Sequence, residues 1–67
     1  MKDFGLKLKR EREAKGLSQK QVAFELGIKQ NTVSQYENNV KRPSYESLIL
    51  LAKYFHVSID YLLGLED

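Results

Sequence analysis

The segment from residue 17 to residue 37 carries two short helical patterns that meet at Gly27. Ser18 is a preferred N-cap residue, and Gln21 three positions later completes the pattern of a capping box, so a helix is predicted to begin there. Gly27 can adopt the left-handed conformation in which helices commonly end. A second helix follows at once. The chain is therefore constrained to fold around two short helices joined by a tight turn.

The second of these helices has two faces of different chemistry. At about 100° per residue, Val33 and Tyr36 lie on one side and are predicted to pack inward. The other side has neither an apolar nor a charged residue, and its members are Gln30, Asn31, Ser34, Gln35 and Asn38. Side-chain amides pair bidentately with adenine N6 and N7 in the major groove of DNA. The alternative is that they lie on a helix face exposed only to solvent.

The rest of the chain predicts three more helices and no strand, since it has neither an alternating apolar pattern nor a hairpin signal. Helix one is expected at residues 3–15, with Phe4 and Leu8 facing inward. Ser44 and Ser58 are expected to cap helices four and five. Helix four has one apolar stripe, formed by Leu48, Leu51, Ala52 and Phe55. The residues expected to end the five helices are Gly16, Gly27, Asn39, His56 and Gly64.

Length and composition predict one small domain. The 67 residues include no Cys, so neither disulfides nor thiolate metal ligands brace the fold, and the composition suits a reducing cytoplasm. No apolar run is long enough to span a bilayer, and the N-terminus lacks a signal-peptide pattern. A soluble cytoplasmic protein is expected, with no cofactor and no metal.

The positions of the charged residues indicate more about a binding partner than the net charge does. The net charge is only +2. The basic residues of helix one are interspersed with Glu11 and Glu13, which favours a solvated, self-paired face. Lys41 and Arg42, by contrast, stand together directly after the helix that carries the amides. A polyanion that contacts this helix would meet these two cations.

In order and spacing, these residues resemble the helix-turn-helix domain of the phage Cro/C1-type repressors, the XRE family. The match extends from about Phe4 to Gly64 within a single domain of residues 1–67. It implies an all-α, five-helix fold similar to that of lambda repressor. The residues that carry the resemblance are Arg12, Gly16, Leu17, Ser18, Gln19, Ala23, Leu26, Gly27, Ile28, Thr32, Val33, Ser34, Tyr36, Glu37, Asn38, Arg42, Pro43, Ser44, Leu51, Ala52, Val57 and Ser58.

The resemblance implies a sequence-specific DNA-binding regulator, expected to be a repressor. Its third helix would lie in the major groove of a pseudo-palindromic operator that two copies of the chain occupy. The predicted base-reading residues are Gln30, Asn31, Ser34 and Gln35. The predicted phosphate-contacting residues are Ser18, Gln19, Thr32, Asn38, Lys41 and Arg42.

The resemblance also implies that Arg12 and Glu37 form an ion pair that ties helix one to the end of the third helix. Two unrelated surface charges are the alternative. As a further expectation, Glu37 orients the guanidinium so that its remaining donors face a phosphate.

The chain departs from the family pattern at several positions. Lys29 stands where a Ser or Thr cap is usual, so the third helix is expected to begin more loosely, at a cost of at most about 1 kcal/mol. Phe24 stands where a polar residue is usual. A possible dimer patch consists of Leu50, Tyr54 and Ile59. Local packing of these side chains is the alternative.

Two other functional classes are alternatives to a DNA-binding regulator. An enzyme is not expected, because His56 is the only His and lies at a helix end, and neither a phosphate-binding loop nor a paired-carboxylate pattern is found. The other alternative is a helical protein-interaction domain that has kept the fold and lost DNA binding. Such a domain would be expected to carry apolar or acidic residues at Gln30, Asn31 and Gln35.

Overall fold

The computed structural model of the protein describes residues 3–65, and the predicted domain bounds of 1–67 extend beyond these residues at both ends. The helices are α1 (Phe4–Ala14), α2 (Gln19–Leu26), α3 (Gln30–Glu37), α4 (Tyr45–Phe55) and α5 (Ile59–Leu62). No strand occurs between residues 3 and 65, so the all-α, five-helix prediction is confirmed. None of these helices is long and apolar enough to cross a membrane.

Three of the helices begin at a serine whose hydroxyl caps the first turn. Ser18 Oγ accepts a hydrogen bond from Gln21 N, and Gln21 Oε1 accepts one from Ser18 N, so the predicted capping box forms. Ser44 and Ser58 likewise cap α4 and α5. Each cap satisfies an amide that has no partner within the helix, which stabilises the helix by about 1 kcal/mol.

The described helices all end in the same hydrogen-bonded turn. In each, a residue with φ between 57° and 79° follows the last helical turn, and these residues are Gly16, Gly27, Asn39, His56 and Gly64. Two backbone amides then donate back to the last turn. At the end of α3, for example, Asn39 N donates to Tyr36 O and Val40 N donates to Gln35 O. The predicted ends of the helices are therefore confirmed.

The beginning of α1 differs from its prediction. The sequence pattern places Asp3 within the helix, but its φ of 65° is not helical and its side chain makes no capping hydrogen bond. The first turn is capped instead by the residue that ends α3, because Asn39 Oδ1 accepts a hydrogen bond from Gly5 N at 3.1 Å. One residue thus terminates α3 and caps α1.

A single core lies between the helices and holds the inner face of α3. Its largest fully buried side chains are Phe4, Phe55, Leu8, Leu51, Leu62, Val22 and Val33. The rings of Phe4 and Tyr36 meet edge to face, with centroids 6.3 Å apart. The predicted inward positions of Phe4, Leu8, Val33 and Tyr36 are confirmed.

The backbones of α1 and α3 approach each other most closely at Gly5. A Cβ atom at this residue would overlap the backbone oxygen of Glu37 and lie 2.8 Å from that of Tyr36. Backbone atoms cannot rotate away as a flexible side chain can, so only Gly fits this crossing. In the sequence pattern, Gly5 is only a residue of low helix propensity within helix one.

The variant Gly5→Ala is expected to lower the free energy of unfolding by about 3 kcal/mol, the upper end of the usual cost of overpacking. The matched control is Gly16→Ala, where a Cβ has no atom within 4 Å but φ is +69°. That control should lose only about 1 kcal/mol, through backbone strain alone. Urea unfolding measures both values, and equal losses would contradict the close crossing.

Candidate nucleic-acid interface

A buried ion pair joins α1 to the last residue of α3. Arg12 Nε donates to Glu37 Oε2 at 2.6 Å, and Arg12 Nη2 donates to Glu37 Oε1 at 3.0 Å. The two side chains are only 11% and 3% exposed. These hydrogen bonds raise the pKa of the Arg12 guanidinium above its already high ordinary value. The pair implied by the family resemblance therefore forms, and these are not unrelated surface charges.

Two further groups attach α2 to this ion pair. Arg12 Nη1 donates to Leu17 O at 2.8 Å, just before α2 begins, and Gln19 Nε2 donates to Glu37 Oε1 at 3.1 Å. Glu37 therefore accepts hydrogen bonds from α1 and from α2 while it belongs to α3. The bond from Gln19 to Glu37 is not indicated by the sequence pattern, and the phosphate contact of Gln19 stays a prediction.

The outer face of α3 brings the predicted base-reading residues together. Gln30 and Asn31 are exposed in the first turn, and Ser34 and Gln35 are half-buried one turn later. At 1.5 Å of rise per residue, these side chains extend over about 8 Å of the helix. Because the inner face of α3 is fixed in the core, the amides are held on the opposite side. This arrangement offers a row of hydrogen-bond donors and acceptors to a partner.

The first turn of α3 lacks a side-chain cap. Lys29 occupies the N-cap position with extended backbone, is exposed, and makes no capping hydrogen bond. The first turn contains no acidic residue. The missing cap that the sequence predicts for this helix is therefore confirmed, whereas its looser beginning stays a prediction. The positive end of the helix dipole faces no carboxylate of its own first turn.

The predicted phosphate-contacting residues flank this face in two groups. Ser18 and Gln19 lie at the beginning of α2, where backbone amides point out of the helix. Lys41 and Arg42 are exposed in the loop between α3 and α4. This loop is tied to α3, because Lys41 N donates to Gln35 O at 3.3 Å. The backbone that carries the two cations is therefore attached to the last turn of α3.

Two other predicted contact residues belong to α3 itself or its cap. Asn38 is exposed, and its Nδ2 atom donates to Ser34 Oγ at 3.3 Å. Thr32 is half-buried. Both lie beside the outer face, and their contacts to phosphate stay predictions.

The predicted dimer patch is exposed only in part. Leu50 is 52% exposed, whereas Tyr54 and Ile59 are half-buried and pack against the core. The ring of Tyr54 meets that of Phe55 edge to face at 4.8 Å. Burial raises the pKa of the Tyr54 hydroxyl, with a smaller contribution from its hydrogen bond to Glu25. Local packing thus engages two of the three residues, and Leu50 is the exposed member.

Groups suited to metal binding are not gathered in the described part of the chain. His56 is exposed and ends α4 with φ of 57°. Within residues 3–65, no three His, Cys, Asp or Glu side chains are grouped so that they could hold a metal ion. The functional groups that do lie together are the amides, hydroxyls and cations on and around α3.

Two short helices joined at a left-handed Gly, with a buried inner face and a polar outer face on the second, define a helix-turn-helix domain. The Helix-turn-helix family model matches residues 8–62 of the chain. The protein therefore belongs to the helix-turn-helix family of XRE type, and the resemblance inferred from the sequence is confirmed.

The relatives align with nearly the whole chain. The HTH-type transcriptional regulator YobD of Bacillus subtilis is 38% identical over 61 residues, which are 91% of this chain and 54% of YobD. The regulator ImmR of the same organism is 38% identical over 63 residues, or 94% and 50%. The transcriptional activator BcrR of Enterococcus faecalis is 37% identical over 65 residues, or 97% and 32%. The chain thus spans about half the length of the first two and a third of BcrR.

The variant Glu37→Ala is expected to lower the free energy of unfolding by about 3 kcal/mol, because it leaves the Arg12 charge buried without a partner. The control is Lys15→Ala, which removes an exposed pair with Glu11 at 3.4 Å and should cost about 1 kcal/mol or less. In urea unfolding, reversing both charges with Arg12→Glu and Glu37→Arg should recover stability over either single reversal. Absence of that recovery would contradict a direct pair.

Proposed function

We propose that this domain binds double-stranded DNA sequence-specifically as a transcriptional regulator, with α3 lying in the major groove. The observation that carries the proposal is the outer face of α3, where amides and hydroxyls replace the charges usual on a solvated helix. Membership of the helix-turn-helix family supports it, as do relatives named as transcriptional regulators. Because the chain spans about half of those relatives, the activity of the whole protein is part of the proposal.

Base recognition is assigned to the amides. Gln30, Asn31 and Gln35 each carry a donor and an acceptor on one planar group, which matches the acceptor N7 and donor N6 of adenine. Ser34 lies between them and contributes a single hydrogen bond. Each bidentate pair contributes about 1–3 kcal/mol of discrimination against other bases. The half-site is therefore expected to contain adenines.

Register and affinity are assigned to phosphate contacts on both sides of α3. The beginning of α2 presents backbone amides and the positive end of a helix dipole, so Ser18 and Gln19 bind a phosphate without a cationic side chain. Thr32 and Asn38 add neutral hydrogen-bonding groups. Lys41 and Arg42 supply charge on the other side. With few cations among the contacts, the salt dependence of binding is expected to be shallow.

Repression by a homodimer completes the proposal. The eight residues of α3 reach only a few base pairs, so two copies on half-sites one helical turn apart are needed for selectivity. Leu50 is the exposed centre of the candidate contact surface, with Tyr54 and Ile59 beside it. A dimer that covers a promoter blocks transcription, and no further interaction surface on the protein is needed. The proposed location is the cytoplasm, and regulation of this kind requires neither a catalytic step nor a cofactor.

The proposal is tested by selecting bound sequences from random duplex DNA with the purified protein. Recovery of an adenine-containing inverted repeat supports both base reading by α3 and binding as two copies. Recovery of no preferred sequence contradicts the proposal and favours a protein-interaction domain of the same fold. A reporter promoter that contains the recovered site then shows the regulatory sign, and increased transcription would contradict repression.

Substitution of the amides should change sequence preference, whereas substitution of the cations should not. With Gln30→Ala or Gln35→Ala, repeated selection is expected to lose the adenine preference at one position of each half-site. Lys41→Ala and Arg42→Ala are the matched controls. Each should lower the slope of log K against log salt by about 0.9 and leave the selected sequence unchanged. An unchanged preference in both glutamine variants would refute base reading by the outer face.

Loss of the exposed apolar surface on α4 should weaken binding to two half-sites but not to one. Leu50→Asp is expected to reduce cooperative binding to the complete inverted repeat, because it places a carboxylate in the dimer contact. Leu6→Asp is the control, since Leu6 is also about half exposed (47%) but lies on α1. Electrophoretic mobility shifts with one and with two half-sites measure the affinity of each variant. Equal effects of the two variants would exclude this patch as the dimer contact.

A further inference from the structure

We propose that Lys29 is a further specificity-determining residue, whose ammonium group donates hydrogen bonds to guanine O6 and N7 beside the adenines that α3 reads. The inference rests on the proposed function and extends it, because the amides account for adenine only. It adds a second kind of base to the expected half-site.

The first observation is that Lys29 is unfavourable for the fold at its position. It is the N-cap residue of α3, with φ −79° and ψ 144°, and no side-chain atom caps the helix. Its cation lies at the positive end of the helix dipole, where a negative charge is favoured. Ser18, Ser44 and Ser58 cap α2, α4 and α5. Elsewhere, then, this chain uses serine where an N-cap side chain serves the fold.

The second observation is that nothing within the described part of the chain compensates for this cost. The side chain of Lys29 is exposed and has neither a hydrogen bond nor an ion pair within residues 3–65. Two other lysines are engaged, because Lys7 lies over the ring of Tyr61 and Lys15 over that of Phe55. Residues that break a local rule without a gain in the fold are expected at functional positions.

The chemistry of the side chain selects the base. An ammonium group has three donors and no acceptor, so it matches an edge that presents acceptors only. Guanine presents O6 and N7 together in the major groove, whereas adenine places a donor beside N7. Lys29 directly precedes Gln30 and Asn31 at the beginning of α3, the end of a groove-bound helix that contacts base edges. Because Gln30 and Asn31 are assigned to base edges, Lys29 directly before them is also placed beside bases.

The variant Lys29→Ser separates this role from a structural one. It introduces the preferred cap, so the urea midpoint of unfolding should rise. In selection from random duplex DNA, the same variant should lose a guanine preference at one position of each half-site. On duplexes that differ only at that base, the wild type should discriminate by about 5- to 160-fold, and the variant by a factor near one. A residue with only a structural role would move stability and binding in the same direction.

Two control variants and the wild type complete the experiment. Lys29→Arg should keep the guanine preference, because Arg also donates to O6 and N7. Lys53→Ser removes a charge in the last turn of α4 and should leave the preferred base unchanged. Equal weakening of Lys29→Ser on all sequences, with a smaller salt slope, would indicate a phosphate contact and overturn the assignment, as would an unchanged guanine preference. If the wild type selects no sequence, the proposed function fails as well, so the two failures are distinguishable.

Discussion

The orientation of α3 depends on the buried contact between Arg12 and Glu37. The contact is bidentate and almost fully shielded from solvent, and a hydrogen bond from Gln19 completes it. Removal of either charge would leave the other buried without a partner, which is far more costly than the loss of a surface pair. Three helices meet at this one carboxylate, so it determines how the two helices of the motif sit against α1.

Further contacts concentrate at the same end of α3. The backbone crossing at Gly5 and the cap from Asn39 both join α1 to the last turn of α3 or to the turn that follows it. The beginning of α3, in contrast, has no side-chain cap. The helix is thus fixed at its C-terminal end and presents its N-terminal end outward. The part of α3 that is held by other helices and the part that is exposed therefore lie at opposite ends of its eight residues.

The features that could be predicted from the sequence are local ones. Serine caps, a left-handed Gly27 and the apolar period of α4 each follow from backbone sterics or from a periodicity within one helix, and so does the polar face of α3. Features that join residues distant in sequence do not follow from such local patterns, and the pair of Arg12 and Glu37 is indicated only by the family resemblance. The bond from Asn39 to Gly5 joins residues 34 positions apart, and the burial of Tyr54 and Ile59 depends on neighbours from other helices. No pattern within one segment specifies such contacts.

The short lengths of the helices determine how the domain unfolds. The described helices contain between four and eleven residues, below the length at which isolated helices are stable in water. Each persists only while its neighbours are in place, and Leu62 of the four-residue α5 is fully buried in the shared core. Folding is therefore expected to be all-or-none. The outer face of α3 then exists as an ordered surface only in the intact domain, and heat or proteolysis abolishes it in a single step.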